Sequence, residues 1–176
     1  MGSDDGGLPL LTNQQRLHTL SALVANKPGV LARIAQVFAR RAYNIESLVV
    51  SPAGDGIYSR MTIGASGDPQ GLDQIIKGVG KLVDVLHCFD HTSDDAVVQE
   101  LALVKISCSS DQRTEALQIC DHFECSTEDL TEQSMILKST GSSEKLVALL
   151  GMLAKFGFVE MVRTGKVVMA RGREVT

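Results

Sequence analysis

Apolar and polar positions alternate with two periods along this chain, and the switches between them outline the elements. Over residues 17–25, Leu20, Ala22 and Val24 alternate with Thr19, Ser21 and Leu23, which predicts a strand with one apolar and one mixed face. From Val30 onward the apolar positions fall at Val30/Leu31, Ile34 and Val37/Phe38, the spacing of a helix. Pro28 is expected at the first helical position, where a missing N–H costs nothing and φ is already set. Arg40 and Arg41 suit the negative end of that helix. A second strand is predicted over residues 45–51 and a third over 57–65, where Ile57, Ser59, Met61 and Ile63 alternate with Tyr58, Arg60 and Thr62. The turn cluster Pro52-Ala53-Gly54-Asp55-Gly56 makes the pair a hairpin. Asp68-Pro69 reads as helix cap and first residue, followed by the stripe Leu72, Ile75, Ile76 and Val79. A fourth strand is expected over residues 83–90.

Strand-helix-strand-strand-helix-strand within about 75 residues is the split βαβ, ferredoxin-like arrangement, with both helices on one face of an antiparallel sheet. The mixed content of the other face suggests that it meets something. After the polar stretch His91-Thr92-Ser93-Asp94-Asp95 the pattern restarts. A long apolar strand is predicted over 97–107, and Ser109-Ser110-Asp111 is expected to cap a helix carrying Thr114, Leu117 and Cys120 or Asp121. A hairpin of 123–127 with 134–139 follows around polar residues 128–133. The next helix starts at 141–144, turns Leu146, Leu149, Leu150 and Leu153 inward, and stops at Gly157. Residues 159–163 form the last strand, with 167–169 as a short extension. The fold class is α+β, two ferredoxin-like βαββαβ domains. The expected division is a flexible tail 1–16, a first domain 17–92, a linker 93–96, a second domain 97–172 and a tail 173–176.

Composition narrows the functions. The net charge of −4 and the 4% aromatic content, with Tyr58 the lone aromatic candidate on the third strand, argue against a nucleic-acid-binding sheet. No apolar run of 18 residues predicts a membrane span, and the acidic start lacks a secretory apolar segment, so a cytoplasmic location is expected. A plastid is the alternative if the source is a plant or alga. A domain this small buries little by itself, so an oligomer is expected. The four cysteines, Cys88, Cys108, Cys120 and Cys125, form no C-x-x-C pair. Neither His87-Cys88 with His91 nor Cys120 with His122 and Cys125 supplies a four-ligand zinc frame, so no metal is expected and reduced thiols are. Adjacent Cys120, Asp121 and His122 point in different directions on a helix and make no catalytic dyad. His18 is read as a strand side chain rather than a pH sensor. Arg60 and Glu46 are expected to pair across the hairpin.

The most informative stretch is Asn26-Lys27-Pro28-Gly29-Val30-Leu31. The first N–H groups of a helix lack internal partners and sit at its positive end, and Gly29 leaves the approach to them bare. That suits a small carboxylate or phosphate. Asn26 offers an oxygen to an ammonium group, so an α-amino acid fits the pair. The same string also serves as a well-started helix and nothing more.

Several strings carry a resemblance. They are Leu23 through Ile34, Phe38-Ala39-Arg40-Arg41-Ala42-Tyr43-Asn44-Ile45-Glu46-Ser47-Leu48 and Ser59-Arg60-Met61-Thr62-Ile63. Lys81-Leu82-Val83-Asp84-Val85, Glu100-Leu101-Ala102-Leu103-Val104-Lys105 and Arg163-Thr164-Gly165 continue it. Over about residues 17–172 the chain resembles the small regulatory subunits of acetohydroxyacid synthase (acetolactate synthase), whose N-terminal unit is an ACT domain. The resemblance implies a chain with no activity or cofactor of its own. Its expected partner is the catalytic subunit, which would hold thiamine diphosphate, Mg and FAD, and which it would activate and place under feedback inhibition by valine. The effector would lie between two ACT domains of a homodimer, with Asn26, Gly29, Val30 and Leu31 from one protomer and Asn44 and Ile45 from its partner. The alternative is an ACT-domain sensor of another amino acid regulating another enzyme. Two departures stand out. Ala42 replaces the Gly common before Tyr-Asn-Ile, so a left-handed helix end there would store roughly 1 kcal/mol of strain. Residues 124–134 diverge most.

Overall fold

The computed structural model describes residues 16–54, 56–92, 96–173 and 176. Its first unit comprises β1 (Arg16–Ala25), α1 (Val30–Ala39), β2 (Asn44–Pro52), β3 (Tyr58–Gly67), α2 (Pro69–Gly80) and β4 (Val85–Asp90). The strands form an antiparallel sheet in the order β2-β3-β1-β4. Leu20, Ala22 and Val24 of β1 and Met61, Ile63 and Ala65 of β3 face Val30, Ile34 and Phe38 of α1 and Leu72, Ile75 and Val79 of α2 in one core. The period-2 and period-3.6 stripes are thus the two walls of that core. His18 is buried on β1, and neither ring nitrogen has a hydrogen-bond partner.

The second unit repeats the order with β5 (Val97–Ser107), α3 (Arg113–His122), β6 (Ser126–Leu130), β7 (Ser134–Gly141), α4 (Ser143–Leu153), a 3₁₀ turn (Ala154–Phe156) and β8 (Phe158–Arg163). Its strand order is β6-β7-β5-β8, and β9 (Val167–Met169) extends the sheet by pairing with Val97–Gln99 of β5. Ser142 caps α4 by accepting from the Lys145 N–H at 3.2 Å, and Leu146, Leu149 and Leu153 are buried. Gly157 ends the 3₁₀ turn with φ +77°.

Several sequence expectations shift. Pro28 stays outside α1, because Gly29 takes the cap position in a left-handed conformation (φ +85°) and the helix begins at Val30. Val83 is almost wholly exposed in the turn before β4 and does not belong to the strand. Ser109 does not cap α3. Its hydroxyl and main-chain N–H both engage Gln112 Oε1, and Gln112 becomes the cap residue. The buried face of α3 is Ala116, Ile119 and Cys120, while Thr114, Leu117 and Asp121 are exposed. Alanine at position 116 packs inward where an apolarity count favours Leu117. β6 runs through Glu128 and Asp129 although every residue in it is exposed, because the β7 ladder holds it rather than burial. Arg60 and Glu46 do not pair. Arg60 Nη1 donates to the Thr176 carbonyl, and Glu46 accepts from Ser66 and Asn44. Of the expected tails and linker, residues 1–15, 93–95 and 174–175 lie outside the described residues.

The middle of the far face of the first sheet is covered within the chain. Thr19, Ser21 and Thr62 on it are buried. Gly165, in the loop after β8, packs against Ser47 of β2 with no room for a methyl group between them. The residues that follow β4 are stitched to β1: His91 N–H donates to the Thr19 carbonyl at 2.8 Å, His91 Nε2 meets Ser21 Oγ at 2.7 Å, and Thr19 N–H donates to Thr92 Oγ1 at 3.1 Å.

Both first helices of the repeat end in the same cap. At α1, Tyr43 N–H reaches the Phe38 carbonyl and Ala42 N–H the Ala39 carbonyl, each at 3.1 Å, with Ala42 left-handed at φ +54°. This is the Schellman arrangement, whose left-handed position normally takes Gly. Ala42 is exposed, so its methyl packs against nothing that offsets the strain. Ala42→Gly is therefore expected to stabilise the chain by about 1 kcal/mol. A thermal melt should rise by about 2–4 °C, and an unchanged or lower midpoint would contradict the strain.

Candidate functional site

The turn from β1 into α1 is built by backbone bonds to the neighbouring hairpin. Asn26 N–H donates to the Ile57 carbonyl at 2.8 Å, and Asn26 Nδ2 donates to the Gly56 carbonyl at 3.1 Å. Both donors of Asn26 are thus directed at the β2–β3 turn, and its Oδ1 remains as an acceptor. Lys27 N–H closes on the Ala25 carbonyl at 2.9 Å, which sends the chain outward through Pro28. Gly29 then reverses it with a positive φ, a conformation that side chains resist. Among the described residues the N–H groups of Gly29, Leu31 and Ala32 have no acceptor, and Val30 N–H reaches only the Lys27 carbonyl at 3.5 Å. These are the orphan donors at the positive end of a ten-residue helix.

Side chains divide at this turn. Val30 is buried in the core, so only its main chain faces outward, whereas Leu31 is 42% exposed. Ile57, beside Asn26, is 64% exposed. A group that the sequence reading passed over is Arg33. A Cβ on Gly29 would lie 3.9 Å from Arg33 Nη1, so the guanidinium stands beside the bare turn. Its Nη2 is held by Asp84, just before β4. The signal was present: Arg33 lies one helical turn after Gly29.

Asn44 and Ile45 occupy the other end of the sheet. Asn44 pairs with Ser66 at the end of β3, while Asn26 adjoins Ile57 at its beginning. From Tyr58 to Ser66 a strand climbs roughly 26 Å. One protomer therefore does not bring the two groups together. Asn44 is exposed and Ile45 half-buried against the core. Asn44 Nδ2 donates to Glu46 Oε1 at 2.7 Å, and Ser66 Oγ donates to the same oxygen at 2.6 Å. The Ser66 hydroxyl first, and then the Asn44 amide, hold the Glu46 carboxyl below the usual carboxylate range. β2 is an edge of its sheet.

Away from both groups, an open cleft of about 550 Å³ is lined by Ser107, Ser109, Ser110, Arg113, Glu132 and Gln133 at the start of α3. Among the described residues no three His, Cys, Asp or Glu side chains are placed to hold a metal ion, and no helix is long and apolar enough to cross a membrane.

Two βαββαβ units, the first with a bare glycine turn opening its first helix, define an ACT-domain protein. Comparison with known families agrees. Residues 20–87 match the acetohydroxyacid synthase (AHAS) small subunit-like ACT domain, and residues 99–172 match the family described as the small subunit of acetolactate synthase. The chain belongs to the acetolactate synthase small subunits. It is 38% identical over 162 residues to the acetolactate synthase small subunit of Mycolicibacterium smegmatis, covering 92% of this chain and 95% of that one. It is 39% identical over 157 residues to the corresponding subunit of Mycobacterium bovis, covering 89% and 94%. The crystal structure of the small subunit from Thermotoga maritima superimposes with a TM-score of 0.79 at 34% identity, covering 90% of this chain and 99% of that one.

Proposed function

We propose that this chain is a regulatory subunit without catalysis of its own, which binds the acetohydroxyacid synthase catalytic subunit, activates it and makes it sensitive to valine. The observation that carries this reading is the left-handed Gly29 turn, with unpartnered amides at the helix start and an Asn26 whose amide nitrogen is engaged, leaving its oxygen to accept. The valine carboxylate would accept from the main-chain N–H groups at Gly29 and Val30, with Leu31 N–H and Arg33 adding to the positive field. Bonds to a charged acceptor are stronger than neutral ones. The ammonium would donate to Asn26 Oδ1, and the isopropyl group would lie against Leu31.

The roughly 26 Å between the Asn26 and Asn44 ends of the sheet supports a two-chain pocket. In a homodimer related by a two-fold axis, the Asn26 end of one first unit can face the Asn44–Ile45 end of its partner. The exposed edge of β2 provides the seam. Valine bound there would favour one arrangement of the two units over another, and inhibition follows if the catalytic subunit senses the difference. Thiamine diphosphate, Mg and FAD would reside on that catalytic subunit.

Asn26→Ala removes the ammonium acceptor and one exposed bond to Gly56. Calorimetric titration is expected to show valine binding weakened about tenfold with the dimer intact, the size of one lost hydrogen bond to a charged group. An unchanged titration would remove Asn26 from the site. A thermal-shift panel of the twenty amino acids separates valine regulation from sensing of another amino acid. Co-purification with the catalytic subunit, with and without valine, tests the partner directly.

A further inference from the structure

Helix α3 ends in a cap that sets two thiols against each other. Cys125 N–H donates to the Cys120 carbonyl at 2.8 Å, and Glu124 N–H donates to the Asp121 carbonyl at 3.2 Å, with Glu124 left-handed at φ +54°. In this arrangement the side chains on either side of the cap come into contact, and the contact is commonly apolar. At the end of α1 the equivalent positions hold Phe38 and Tyr43, both in the core. At the end of α3 they hold Cys120, in the core of the second unit, and Cys125, partly buried against that core. Covalent reach on either side of a 2.8 Å N···O contact limits the Cα–Cα separation to about 6.7 Å. That lies within the roughly 4.4–6.8 Å that a disulfide spans.

The surroundings separate the two sulfurs by role. Cys125 is half-buried and reachable from solvent, whereas Cys120 is 2% exposed and packs in the core with Ala116 and Ile119. The neighbouring Cys120 thiol, then the Ser139 hydroxyl and the Lys145 ammonium, lower the Cys125 thiol below its ordinary range. The neighbouring Cys125 thiol and burial raise Cys120. Ser139 Oγ is buried without a hydrogen-bond partner, and a thiolate at Cys125 would give it an acceptor. Low-pKa, accessible thiols with a neighbouring thiol are the ones that oxidise reversibly.

We propose that Cys120 and Cys125 form a reversible redox pair that closes to a disulfide when the chain meets a hydroperoxide. The Cys125 thiolate attacks a peroxide oxygen, the O–O bond breaks, and Cys125 becomes a sulfenic acid. The Cys120 sulfur then attacks the Cys125 sulfur, the S–O bond breaks, and the departing hydroxide takes the Cys120 proton as water. With hydrogen peroxide, two thiols lose two hydrogens and the peroxide ends as two waters. The cap already holds the two residues within disulfide reach, so the bond ties the end of α3 to the start of β6 with the fold intact.

Hydrogen peroxide treatment of the full chain is expected to remove two titratable thiols. Chymotryptic cleavage at Phe123 separates the two cysteines, so a non-reduced digest should contain a peptide pair joined through them, which dithiothreitol releases. In Cys120→Ala, Cys125 should stop at the sulfenic acid and be captured by dimedone, while Cys88→Ala should leave the cross-link intact. The proposal is overturned if Cys125 runs on to sulfinic or sulfonic acid without a cross-link, if Cys108 or Cys88 supplies the second sulfur, or if all thiols stay titratable.

Discussion

Gly29→Asp is expected to abolish valine sensitivity while assembly with the catalytic subunit and its activation survive. The turn has space for the side chain, since a Cβ there would meet only Arg33 Nη1, at 3.9 Å. The backbone penalty at φ +85° is about 1 kcal/mol, and Asp tolerates the left-handed region better than most residues. Fold and dimer should therefore persist. What changes is electrostatic. A fixed carboxylate would take the orphan N–H groups and pair with Arg33, so a second carboxylate would meet occupied donors and like charge. Losing its charge-assisted bonds should weaken valine binding by at least about 100-fold, roughly 3 kcal/mol. Calorimetry with the variant decides the matter: near-native valine affinity would place the effector elsewhere. Loss of activation together with sensitivity would instead show that this turn serves the catalytic partner.

Arg163→Leu is expected to produce the largest loss of stability, centred on the second unit. Glu100 is 4% exposed at the start of β5, where Arg163 Nη2 and Ser143 Oγ both donate to its carboxylate. Removing Arg163 strands a buried negative charge with only a hydroxyl for support. The cost of such a break is about 3 kcal/mol, readable as a lower urea midpoint. Replacing both partners, Glu100→Leu with Arg163→Leu, removes the stranded charge and should recover most of the loss. If the double variant were no better than the single one, the side chains would matter through packing rather than charge. Arg163 also precedes the Thr164-Gly165 loop that rests on Ser47, so the single variant should expose that contact to proteolysis earlier than the first unit's core.

Legibility followed the reach of each interaction. β1, the Asp68 cap with Pro69 as first residue of α2, the leucine face of α4 and the full span of β5 appear where local periodicity places them. The misplacements occur where a neighbouring element decided the outcome. β6 has no buried face and is a strand only because β7 pairs with it. α3 turned on Ala116, whose small size gives little weight in an apolarity count but allows close packing. The φ and the missing N–H of Pro28 both suit a first helical position, whereas the left-handed Gly29 turned the chain one step later. Glu46 and Arg60 are opposite charges, yet Ser66 and the Thr176 carbonyl reach them first. At the candidate site, Asn26, Gly29 and Leu31 were legible because the turn is local. The place of Arg33 beside Gly29 required a side-chain direction that spacing only hints at.

By itself, the order of residues determined the two repeated units, the walls of their cores and the glycine turn that opens the first helix, because side-chain period and cap chemistry act over a few neighbours. Only the tertiary structure decided three further things. It buried Thr19, Ser21 and Thr62 on the far face of the first sheet, placed the Asn26 and Asn44 groups at opposite ends of that sheet, and brought Cys120 and Cys125 to the two sides of one helix cap. Each of these depends on which strand lies beside which and on how a cap folds back. Those outcomes belong to the whole packed assembly and leave no period in the sequence to read.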